Sequence, residues 1–248
     1  FSRPAARERR SKRSTLAMTP GIRAILFDLD GTLADTAPDM MRTVNAMRGA
    51  RNLAPVTLDA IRPYVSRGAR GMIGAAFGVA PEDAGFGTMR EEFLAIYAEN
   101  LCVDTRLFPE MGELLDLLDE RGLAWGVVTN KFERLARSVI DGLGLGARLA
   151  VLVGGDTCER AKPFPDPLLH AALALALPPR EVLYVGDDER DVQAARAAGM
   201  PVLAAGYGYL GDGPAPARWG ADAVVESPAG IARWAGLDSG PTRPNLGP

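Results

Sequence analysis

Asp28 and Asp30 stand one residue apart at the end of an apolar run, AILFDLDGTLADT (Ala24 to Thr36). Asp and Gly often end strands, so Asp30-Gly31 alone would read as a turn. Two other apolar runs also end in polar groups: VVTN in Thr129-Asn130, and YVGDDERD in Asp187-Asp188, with Asp191 close behind. Strand alternation puts Asp28 and Asp30 on one face, with Leu29 opposite. Such a pair can divide labour: one carboxylate stays ionised and attacks, while its neighbour gives a proton to the leaving group. Gly31 allows a sharp turn and close backbone approach. Thr129 brings a hydroxyl, and its neighbours bring amides at a helix start, suited to a phosphate. Lys12, Lys131 and Lys162 are the only lysines among 28 Lys and Arg, so lysines beside these motifs are informative. A compact ammonium at Lys162 can touch a phosphoryl oxygen and a carboxylate together, and Pro163 biases its backbone toward an extended form.

The elements that must position these groups are legible as alternating patterns. IRAILFD, LAWGVVT, LAVLV and EVLYVG read as strands buried on both faces. MGELLDLLDER, KFERLARSVIDGL, DPLLHAALALAL and DERDVQAARAAG carry helical spacing with outward charges. The alternation predicts an α/β fold, a Rossmann-like open parallel sheet with helices on both sides. The carboxyl ends of such strands share one edge, so the carboxylates should converge there. Convergence is unfavourable unless a cation joins them. Asp28, Asp30 and Asp187 would form a hard oxygen site suited to Mg²⁺. Pro38 to Thr105 holds no convincing buried strand, only helical pieces around a Gly- and Pro-punctuated middle. It reads as a helical domain inserted after the first strand. The expected division is a disordered basic tail over 1–20, a core over 21–37 and 106–236, a helical cap over 38–105, and a loose tail over 237–248.

Composition bounds the alternatives. With 47% hydrophobic residues and a net charge of -3, the chain can pack a core and has no overall signature of a nucleic-acid or membrane-surface binder. No apolar stretch is long enough for a bilayer. Cys102 and Cys158 read as small buried hydrophobes in a reducing compartment. The single histidine, His170, reads as a packed helix residue, which excludes multi-histidine metal sites. The arginine-rich start lacks the apolar core of a secretory signal, and the working protein is expected to begin near Met18 in the cytoplasm.

DLDGTLADT, VVTN, Ala161-Lys162-Pro163 and GDDERD resemble, in order, the four motifs of the haloacid dehalogenase superfamily of phosphatases. The resemblance covers Ile22 to Trp234. It implies that Asp28 is a nucleophile forming an aspartyl-phosphate and Asp30 the general acid/base. It also implies that Thr129, Asn130 and Lys162 bind the phosphoryl group. Mg²⁺ would be held by Asp28, the Asp30 carbonyl and Asp187, with Asp188 or Asp191 in support, and the inserted helices would be a small cap.

Asp30 argues against a dehalogenase, because a halide needs no proton, and the cap span lacks the lysine that phosphonate-cleaving relatives require. A hexose-phosphate phosphatase or mutase of the same superfamily stays open. GGDTCERAKPFPDPLL and Tyr207 to Tyr209 resemble phosphoglycolate phosphatases. TAPDM, NAMR, SRGARGM, PEDAGFGTMREEFLAIY, WGVVTNK and WGADAVVESP are closer to N-acetylmuramic acid 6-phosphate phosphatases of peptidoglycan recycling. That substrate ranks first and 2-phosphoglycolate second. Both carry a carboxylate, for which the cap loop offers Arg67 and Arg70 around Gly68. Receiver domains also combine a phosphoacceptor Asp with Mg²⁺, Thr and Lys, but lack the cap and the proton donor. A silent binding module is disfavoured by the full motif set. The expected partner is a small phosphate ester, with no nucleic acid or membrane, in a monomer or homodimer.

Overall fold

The structure is a computed structural model that describes residues 21–237. The tails expected to be disordered or loose lie outside the described residues, except position 237. Six parallel strands form the sheet: β1 (Ala24–Phe27), β4 (Ala124–Val128), β5 (Val151–Val153), β6 (Val182–Gly186), β7 (Val202–Ala205) and β8 (Ala223–Val225). Their spatial order is β5-β4-β1-β6-β7-β8. β1 is therefore central, with Phe27 beside Val127 on one flank and Val185 on the other.

Alternation along the strands decides what each face packs against. Ile25 and Phe27 join a core with α5 (Met111–Glu120), α6 (Glu133–Gly142) and α9 (Pro228–Trp234). Ala24 and Leu26 face the other way, toward α7 (Asp166–Ala174) and α8 (Glu189–Ala198). Both faces are covered, which is why these strands read as unbroken apolar runs.

Between β1 and α5 the chain leaves the sheet. β2 (Ala34–Asp35) and β3 (Arg106–Leu107) pair antiparallel as the two legs of this excursion. Between them lie α1 (Ala37–Gly49), α2 (Leu58–Ile61), a 3₁₀ turn, α3 (Gly68–Phe77) and α4 (Phe86–Glu99). α1, α3 and α4 pack on one another through residues such as Met40, Met72 and Phe93. Buried Asp39 in α1 closes the base. Its carboxylate accepts from the Val103, Asp104 and Thr105 amides and from the Thr105 hydroxyl.

Two readings need correction. His170 lies on an exposed face of α7, because that helix buries Leu168, Ala171 and Ala172 while Leu169 and Leu173 also face out. Cys102 and Cys158 are half-buried free thiols in loops rather than fully buried, with Cys158 packed against the core that α7 and α8 cover.

Candidate active site

In strand order the sheet reverses direction of growth at β1 and β6, and a crevice at such a switch point is the usual ligand site. Asp28 follows β1 and Asp187 follows β6. Asp191 joins them from the first turn of α8, and oxygens of the three carboxylates lie within 4.8 Å of one another. Asp187 accepts from the Thr32 hydroxyl (2.8 Å), the Tyr209 amide (3.0 Å) and the Ser66 hydroxyl (3.2 Å). Gly31, at φ +90°, is needed here: a Cβ would collide with the Asp187 carboxylate.

Lys162 enters from a loop whose bond to Pro163 is cis. Its ammonium lies 2.6 Å from Asp191, 3.0 Å from Asp28 and 3.0 Å from the Val128 carbonyl. It also donates to the Tyr184 hydroxyl at 2.8 Å. Burial opposes the charge on Lys162, but Asp191 and Asp28 overcome it and its pKa rises. Burial pushes the Asp28 carboxyl up to about 6, against the pull of Lys162 and with help from Asp191 and Asp30. Burial, then Asp28 and Asp191, raise Asp187 well above the usual carboxylate range.

The other Asp of the pair is held apart. Asp30 takes both oxygens to Lys131, at 2.5 and 2.7 Å, and accepts from the Thr36 hydroxyl at 2.5 Å. The Lys131 ammonium also lies 5.0 Å from the Tyr97 ring centroid. Asp188 caps α8 in a reciprocal box with Asp191 and is paired with Arg190 at 2.8 Å; burial opposes its charge, but the Arg190 guanidinium and amide outweigh burial and hold its pKa below the usual carboxylate value. Asp191, rather than Asp188, therefore completes the carboxylate cluster.

Charge counting tests whether a metal fits. Asp28, Asp30, Asp187 and Asp191 are four buried carboxylates, opposed by the buried ammoniums of Lys131 and Lys162. Two negative charges remain in an all-oxygen setting, which suits a hard divalent cation such as Mg²⁺. The Asp30 side chain is turned to Lys131, so only its backbone could serve beside them.

Thr129 and Asn130 follow β4 at the same edge. The Asn130 amide clasps the Lys162 backbone in both directions, at 2.9 and 3.0 Å. Its side chain thus orients Lys162, and any phosphate contact would run through its backbone. Asp28, Asp30, Thr129 and Lys162 floor a cavity of about 230 Å³ roofed by Val65 to Arg70. Arg67 is engaged by Asp212 and lies over the Tyr64 ring, whereas Arg70 reaches the cavity wall with no carboxylate partner among the described residues. Sequence reasoning notes Lys131 without a role and misses Tyr184, Arg190 and Ser66. The adjacency of Lys131 to VVTN was the one available signal.

Fold and cavity together define a hydrolase class. The chain belongs to the haloacid dehalogenase-like hydrolases, whose family profile matches residues 25–205. Among its relatives, an N-acetylmuramic acid 6-phosphate phosphatase of Pseudomonas aeruginosa is 44% identical over 207 residues, covering 84% of this chain and 92% of its own length. A phosphoglycolate phosphatase of Xanthomonas campestris is 49% identical over 207 residues, covering 83% and 93%. The crystal structure of a predicted phosphoglycolate phosphatase from Haemophilus somnus superposes with a TM-score of 0.76 at 28% identity, covering 86% of this chain and 97% of that one. Among the described residues, no helix is long and apolar enough to cross a membrane.

Proposed function

We propose that the chain is a Mg²⁺-dependent phosphomonoesterase acting through an aspartyl-phosphate on a small carboxylate-bearing phosphate ester. As a family member with phosphatase relatives it is a phosphoric monoester hydrolase. The observation that carries the mechanism is the Lys162 ammonium shared between Asp28 and Asp191 at the floor of the cavity. Asp28, Asp187 and Asp191, with the Asp30 carbonyl, would hold the metal. When bound, Mg²⁺ neutralises phosphoryl charge and keeps Asp28 ionised.

The Asp28 carboxylate attacks phosphorus as the bond to the ester oxygen breaks. As the leaving group displaces its contact with Lys131, Asp30 takes up a proton from solvent and gives it to that oxygen; the proton it later takes from water returns to solvent. Lys162 and the Thr129 hydroxyl hold the phosphoryl oxygens, and Asn130 keeps Lys162 aimed. Water, deprotonated by Asp30, then attacks the same phosphorus, breaks its bond to Asp28 and releases phosphate. The inserted helices act as a cap over residues 38–105, with Arg67, Gly68 and Arg70 in the loop that meets the substrate. N-acetylmuramic acid 6-phosphate is the favoured ester and 2-phosphoglycolate the next.

Phosphate release with Mg²⁺, compared by kcat/KM across those two esters and several hexose phosphates, tests the reading. Asp28→Asn should abolish release while leaving the fold intact. Retained turnover would show that the nucleophile is another group.

A further inference from the structure

One face of α4 carries Arg90, Phe93, Leu94 and Tyr97, spaced i, i+3, i+4 and i+7, and all four line the cavity. This stripe has unlike ends. At one end Tyr97 meets Lys131, the partner of Asp30, so that end belongs to the reaction centre. The middle is apolar. At the other end stands Arg90, seven residues or about 10 Å away along the helix axis. Helical side chains lean toward the N-terminus, which carries its guanidinium further from Tyr97.

Both ends lack a partner of the kind they need. Of the other cations that line the cavity, Lys162 is paired with Asp28 and Asp191, Lys131 with Asp30, Arg190 with Asp188 and Arg67 with Asp212, while Arg70, in the roof rather than on this stripe, pairs with no carboxylate among the described residues. Arg90 sits with its guanidinium carbon 5.5 Å from the Phe132 ring centroid and pairs with no carboxylate among the described residues. The Tyr97 hydroxyl is buried with only the Lys131 ammonium, itself a donor, beside it, so its O–H finds no acceptor among the described residues; burial pushes its pKa up to about 12, so it stays a donor. A buried unsatisfied hydroxyl is costly and rare, and it points to a ligand atom that completes it.

We propose that this stripe is the substrate-recognition surface. Arg90 binds a second anion of the substrate, and Tyr97 donates to a polar group of the body between that anion and the phosphate. The spacing selects a class: a phosphate ester whose carboxylate stands across a sugar-sized body from phosphorus. In 2-phosphoglycolate only an ester oxygen and one methylene carbon separate phosphorus from the carboxylate, too short for the stripe. In N-acetylmuramic acid 6-phosphate a pyranose ring and a lactyl ether intervene. The inference rests on the phosphatase reading above and narrows its substrate.

The test compares N-acetylmuramic acid 6-phosphate with N-acetylglucosamine 6-phosphate, which lacks only the lactyl group. The wild type should favour the first in kcat/KM, and Arg90→Gln should cut that preference about 10–100-fold, mainly through KM. Tyr97→Phe should raise KM for both sugars about five-fold or more with little change in Tm, since its O–H has no acceptor within the described protein and Lys131 keeps its ion pair with Asp30. Equal kcat/KM for the two sugars in the wild type, or a preference untouched by Arg90→Gln, would overturn the proposal. Calorimetric titration of Asp28→Asn with N-acetylmuramic acid 6-phosphate and Mg²⁺ separates the two readings. No phosphate release by the wild type from any ester sinks the phosphatase reading. The same titration, weakened at least ten-fold by Arg90→Gln, still upholds the stripe; no binding, or binding indifferent to Arg90→Gln, sinks it.

Discussion

Burial lifts Asp28 to about 6 and Asp187 well above its usual range, so the folded, metal-free protein holds protons that the unfolded chain would release. The sign follows from linkage: stability contributed by Asp28 falls as pH rises from about 4 to about 6. Mg²⁺ binds the ionised forms and reverses the effect. The gain in Tm on adding Mg²⁺ should therefore be larger at pH 7.5 than at pH 5, as measured by thermal unfolding against an EDTA control. A gain indifferent to pH would mean that these carboxylates are not the ligands. The residues in this cluster were legible because each ends or follows an apolar run, a pattern with few structural explanations. Lys131 stood out beside VVTN but its role did not, because its partner Asp30 lies 101 residues away in sequence. Nor did the Asn130 clasp on Lys162, since an amide beside a phosphate motif reads equally as a phosphate ligand.

At the scale of elements, the long strands and helices followed from periodicity, while the short ones did not. VLAA and AVV, the strands β7 and β8, are too brief and too rich in alanine to stand out, and β2 and β3 are two residues each. DPLLHAALALAL is apolar all round, so its sequence does not reveal which face is buried. The base of the inserted helices depends on a single acid. Asp39→Ala would leave three amides and a buried hydroxyl without their shared acceptor, at a cost of about 3 kcal/mol or more. Urea unfolding should report that loss, whereas Asp104→Ala at the exposed neighbouring position should change little.

Across the whole molecule, the inserted helices meet the sheet edge through Arg190 on the Ser66 carbonyl, Ser66 on Asp187, and Arg67 on Asp212. The last pair is exposed, and such pairs contribute about 1 kcal/mol or less. Asp212→Ala should therefore change kcat/KM by less than about five-fold, alike for every ester; a larger effect confined to carboxylate-bearing esters would mean that Arg67 reads the substrate. The central position of β1 has a further consequence, for the order of events during synthesis. Its sheet neighbours begin at Ala124 and Val182, so the strand emerges from the ribosome long before either partner exists. At roughly 5–20 residues per second, the wait for β6 is roughly 10–30 seconds. Until β4 is made, the nascent chain carries an apolar segment followed by two acids without either sheet neighbour, and until β6 is made one flank of that segment stays open.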